Sequence, residues 1–134
     1  MLSLFPTLLA YGLFGTTFLR ISLGVIFIWL GLRALSTERK ELLSQLTHLG
    51  FLPARFSLTL LSTLELLGGL FVALGLYTQV GALLIALISA KIVFWSMLNK
   101  PISKEPAVFY VMAFVMAITI LFIGPGIFAF DLPL

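Results

Sequence analysis

Long apolar runs, each broken by at most one charge, organise this chain. Runs of about 18 or more apolar residues are long enough to cross a bilayer as helices. On that criterion four spans are expected, about 8–35, 56–77, 80–98 and 107–123. Arg20 lies inside the first, Glu65 interrupts the second, Lys91 interrupts the third, and the fourth carries no charge. The fourth starts just after Pro106 and stops at Gly124-Pro125-Gly126, where free rotation and a missing donor end a helix. Tyr77-Thr78-Gln79 leaves almost no room between spans two and three, so those two should form a tight antiparallel hairpin.

The connection from Ser36 to Arg55 has a different pattern. Leu42, Leu43, Leu46 and Leu49 fall on one helical face, opposite Arg39, Lys40, Glu41 and Gln45. This predicts an interfacial amphipathic helix, ended by Gly50 and turned back toward the bilayer by Pro53. A solvated loop helix without lipid contact is the other reading. The expected fold class is therefore all-α: a four-transmembrane-helix bundle with an interfacial amphipathic helix between spans one and two, in one membrane domain covering 1–134.

Composition agrees, since 61% of the 134 residues are hydrophobic and only 10% are charged. A soluble domain carries roughly 25% charged residues. The absence of cysteine removes thiol chemistry, cysteine-ligated metals and disulfides together. His48 stands alone in a loop, which excludes a bis-histidine haem and suits a surface residue. No metal or covalently held cofactor is expected. The net charge of +3 is concentrated in two short connections, so no nucleic-acid surface is expected either.

Those connections set an orientation. Arg33, Arg39, Lys40, Arg55, Lys100 and Lys104 flank connections 36–55 and 99–106, whereas Arg20 is the basic residue near the opposite side. The positive-inside rule puts both connections in the cytoplasm and both termini outside the plasma (inner) membrane. Residues 1–19 hold no basic residue and no small-x-small cleavage pattern follows, so they read as the start of span one.

The intramembrane charges are the candidate chemistry, because an ionised group at the bilayer centre costs at least about 2.5–3.5 kcal/mol. Glu65 lies 13 residues before Thr78 and Lys91 lies 13 after it, which puts both roughly 20 Å from the turn. Arg20, Gly24, Phe27 and Gly31 share one face of span one, and Glu65, Gly68, Gly69 and Val72 share one face of span two. Small residues let helices approach closely, so an Arg20–Glu65 pair is expected at that contact. Lys91 shares its face with Leu84, Leu87, Phe94, Trp95 and Leu98, which suggests an aromatic groove or a subunit interface. The bland alternatives are a snorkelling Lys91 and a neutral Glu65 hydrogen-bonded to backbone. Trp29, Trp95 and the three tyrosines read mostly as packing groups or interface anchors.

Leu19-Arg20-Ile21-x-Leu23-Gly24, Leu64-Glu65-Leu66-Leu67-Gly68-Gly69, Leu74-Gly75-Leu76-Tyr77-Thr78 and Gly124-Pro125-Gly126 with Asp131 follow one another in this order. The pattern resembles the DoxX family of small four-helix membrane proteins over nearly the whole chain. Carried over, the motif positions are Arg20, Glu65, Gly68, Gly69, Thr78, Gly124, Pro125, Gly126 and Asp131. Arg33 and Gln79 depart from it, the family usually having Lys and Arg there.

The resemblance implies a bacterial or archaeal protein, some relatives of which are subunits of thiosulfate:quinone oxidoreductase or join membrane redox complexes. It leads to the expectation of a non-catalytic subunit, with lipid and either other membrane subunits or a second copy as partners. Arg20, Glu65, Lys91 and Asp131 would form an intramembrane polar network, and Lys91, Phe94 and Trp95 would border a quinone or lipid. Two other classes stay open: a small transporter or proton pathway, and a structural or assembly factor.

Overall fold

The computed structural model describes residues 11–50, 53–98, 103–126 and 129–130, and among them the chain is helical with no strand. The helices are α1 (Gly12–Leu35), α2 (Arg39–His48), α3 (Ala54–Leu74), α4 (Thr78–Met97) and α5 (Ala107–Ile123). Of these, α1, α3 and α4 are long and apolar enough to cross a membrane, and α5 is a shorter apolar helix. The expected boundaries of the second and third spans shift by one to three residues. Each shift has a local cause.

Pro53 and Pro106 precede α3 and α5 in extended conformation, where a fixed φ and a missing N–H do no harm. α3 ends two residues before the expected turn, because Gly75 takes a left-handed φ of 71°. Gly75 N–H then bonds Val72 O and Leu76 N–H bonds Phe71 O, the paired bonds of a Schellman end. Tyr77, at φ 47°, completes the hairpin turn and is the sole non-glycine residue with positive φ among those described.

Glycine sets the helix spacing. α1 and α3 run antiparallel in contact, and a Cβ on Gly24 would lie 2.6 Å from Gly69 O. A Cβ on Gly31 would lie 2.9 Å from Ser62 O. α3 meets α4 in the same way, since a Cβ on Gly81 would come within 3.0 Å of Gly68 O. Across these contacts Leu23, Phe27, Val72, Ala82, Ile85, Ala86, Ala113, Ala117 and Ile120 form a core drawn from all four long helices.

Outside this core the surface is apolar: Phe18 is 76% exposed and Phe122 is 82% exposed, with Leu87, Phe94 and Val108 also bare. A soluble monomer does not carry an apolar belt of this kind. Thr59, Thr63 and Thr119 bond their own backbone four residues back, as Thr63 does to Thr59 O at 2.7 Å, so these surface hydroxyls do not need water.

α2 corrects one expectation. Leu42 and Leu46 are buried against Ala34, Ala54 and Leu58, with Leu43 and Leu49 packed at the edge. Two of the leucines assigned to lipid by pattern alone therefore close the end of the bundle. The helix period identifies an apolar face but not what covers it.

Candidate functional site

Arg20 is 1% exposed and donates from Nη1 to Pro125 O at 2.9 Å. The same nitrogen rests on Gly75, where any Cβ would collide with it. Gly126, at φ 73°, packs on Thr17, so the Gly-Pro-Gly segment folds back onto α1. Arg20 thus ties the α3–α4 turn to the chain beyond α5. Glu65 is ten residues from Gly75, roughly 15 Å along α3. The expected Arg20–Glu65 pair is not formed, because the register set by Gly24 against Gly69 places Arg20 beside the turn instead. Asp131 lies outside the described residues. Thr78, the first residue of α4, is fully buried.

Glu65 faces the opposite end. It is 5% exposed and lines a chamber of about 30 Å³ with Ser62, Tyr110, Ser103, Glu105 and Glu38, among Leu30, Ala34, Leu58 and Ile92. Ser62 is 1% exposed and its Oγ has no hydrogen-bond partner among the described residues. Tyr110 Oη and Ser103 Oγ share a hydrogen bond of 2.8 Å. α3 supplies Ser62 and Glu65 one turn apart on one face, α5 supplies Tyr110, and the two polar connections supply the rest.

An ionic clamp closes this chamber. Arg33 bonds Glu38 Oε1 at 2.6 Å and Glu105 Oε1 at 3.0 Å. Lys104 bonds Glu41 and lies 3.5 Å from Glu38. Its hydrogen bond to Glu41, helped by the negative charge of Glu38 and Glu41, raises the Lys104 pKa. Arg33 also sits 4.9 Å above the Trp29 ring. The residues before α2 are thereby fastened to the connection before α5. The sequence shows these charges as loop residues, and the long-range pairing of position 33 with position 105 has no local signal.

Lys91 is separate again. It is exposed on α4 and lines an outward groove of about 140 Å³ with Leu46, Phe56, Ser57, Leu60, Leu61, Leu64 and Ile92. Phe94 does not join it, lying instead in a shallow groove with Ala90, Val93, Met97, Val111 and Phe114. Trp95 packs on the cluster under α2. The expected Lys91–Phe94–Trp95 contact is divided among three environments, because side chains three or four apart still diverge by 40–60° at about 100° per residue. The aromatic wall of the Lys91 groove is Phe56, from the neighbouring helix.

Among the described residues no cluster of three or more metal-ligating acidic, histidine or cysteine side chains occurs. The family model of DoxX matches residues 15–97, more than half of the chain and every residue of the Lys91 groove. No curated protein and no solved structure matches the chain.

Proposed function

The chain belongs to the DoxX family, and from that premise we propose that it serves as a non-catalytic membrane subunit of a respiratory or sulfur-redox complex, holding a quinone or lipid at Lys91. In this reading all four long helices span the inner membrane of a bacterium or archaeon as one domain. Connections 36–55 and 99–106 lie in the cytoplasm and both termini lie outside. Other membrane subunits, or a second copy, cover part of the apolar surface.

The observation that carries the reading is an ammonium group in an apolar groove of ring size. A cavity of about 150 Å³ is large enough for benzene, and the groove measures about 140 Å³. Lys91 lies six residues before Met97, roughly 9 Å from the end of α4, deep enough that a lipid-facing charge is costly without a partner. The lining fits a ring bearing carbonyl oxygens. Lys91 Nζ donates to one such oxygen, Ser57 Oγ offers a second donor, and Phe56, Leu60 and Leu64 cover the ring faces. A bound quinone would supply the electron-carrying chemistry that a cysteine-free chain with one histidine lacks.

The test is purification of the tagged protein from its native membrane in mild detergent. Co-purification of flavin-, haem- or iron–sulfur-bearing subunits, seen as a reduced-minus-oxidised spectrum, is expected. Recovery of the protein alone, with no redox-active partner, overturns the assignment.

A further inference from the structure

The chamber around Glu65 backs onto the Lys91 groove, with Leu61 and Ile92 as the shared wall, but neither Lys91 nor Ser57 lines it. Glu65 makes no hydrogen bond or salt bridge among the described residues. An ionised carboxylate buried without a cation costs many kcal/mol, so such a group is held neutral and carries a proton. Ser62 Oγ points into the same space, buried and unpartnered. A water needs roughly 10–15 Å³ and two to four polar neighbours, so about 30 Å³ bounded by Ser62, Glu65, Tyr110, Ser103 and Glu105 suits one or two waters.

We propose that this chamber is a hydrated proton-binding site, in which the Glu65 carboxyl exchanges its proton through enclosed water with the solution at the charged end of the bundle. This goes beyond the quinone reading and does not rest on it.

The groups facing Glu65 define the route. α1 presents only Leu30 and Ala34, α4 presents Ile92 while Lys91 is turned into the outer groove, and α5 presents Tyr110. Glu38 and Glu105 stand at the rim with side chains 12% and 27% exposed, held by Arg33, with Lys104 beyond them. The Glu65 O–H bond breaks as its proton passes to the enclosed water, and that water passes a proton to a Glu105 carboxylate oxygen. Glu105 then releases its proton to the solution. The transient charge left on Glu65 accepts hydrogen bonds from the Ser62 hydroxyl and the chamber water until a proton from the solution returns by the same route and restores the acid. At the other end, Arg20, Gly75 and Pro125 pack together, so the exchange is one-sided.

Infrared spectroscopy of the protein in lipid nanodiscs tests the chemistry. A protonated carboxyl band is expected that Glu65→Gln removes, that shifts within minutes of transfer into D2O, and that Ser62→Ala moves in frequency. A Glu65 signal that is a carboxylate, or an acid band that stays unexchanged for hours, overturns the proposal. The chain has no cysteine, so Ser62→Cys introduces a single thiol for a test of sidedness with silver ion in sealed, oriented vesicles. Reaction from the side of Arg33 and Lys104, faster when Arg33→Ala opens the clamp, is expected. Reaction from neither side, or only from the side of Tyr77, contradicts it.

Discussion

Gly24 and Gly69 meet where α1 crosses α3, so closely that a Cβ on Gly69 would lie 2.7 Å from Gly24 O. The obstacle on each side is backbone, which cannot rotate aside as a side chain can. Gly24→Ala and Gly69→Ala should each destabilise the fold by about 1–3 kcal/mol, the usual range for overpacking. Gly15→Ala should be neutral, since nothing lies within 4 Å of a Cβ there. Unfolding midpoints of the three variants in one detergent check this, and an equal response from all three would contradict the packing described.

The Arg20 bond to Pro125 O supports a second prediction. Hydrogen bonds to charged groups contribute about 1.5–3 kcal/mol. Arg20→Met should therefore lower stability by that order and speed amide hydrogen exchange at 124–126 and at the Gly75 turn. Exchange at α2 should not change. Faster exchange around Glu65 in the same variant would revive the Arg20–Glu65 pair that the helix register disfavours.

The clamp yields a pH prediction with a definite sign. Lys104 has a raised pKa owing to its bond to Glu41. A cation whose folded pKa exceeds its unfolded value contributes stability that is fully present below the unfolded value, about 10.4, and lost as pH rises through the folded one. Lys104→Gln should lower the melting temperature at pH 7 slightly, and the gap to the parent should begin to close only as pH rises above about 10.4. Salt should narrow the gap as well, because these side chains are partly exposed.

Most of the fold is legible in the sequence, and less of the candidate site. Apolar runs place α1, α3, α4 and α5 because span length is a one-dimensional property, and Pro106 and Gly124 fix the ends of α5 through their own backbone limits. Gly24 and Gly69 show which faces touch. Which partner each charge finds depends on register: Glu65 and Gly75 lie nearly three turns apart along α3, and spacing alone does not choose which of them Arg20 meets. The Glu65 chamber is harder still to read, since Ser62, Tyr110 and Glu105 come from three separate segments. Lys91 shows that helical angle predicts exposure but not neighbours, its groove wall being supplied by α3.

Truncating Lys91 should separate binding from folding. It is exposed, so Lys91→Met should leave yield and melting temperature unchanged or raised, as expected when a charge facing lipid is removed. A large loss of folded protein would instead make Lys91 a structural residue.

The most direct measurement is a titration in nanodiscs of the Trp29→Phe protein with a short-chain quinone. Trp95 then reports alone, since the chain has two tryptophans, and it packs on the cluster that contains Leu46, a wall residue of the groove. Saturable quenching is predicted, weakened about tenfold or more by Lys91→Met, the loss expected for one charge-assisted hydrogen bond. Linear quenching without saturation, or the same affinity with and without Lys91, would contradict the assignment of a quinone to this groove.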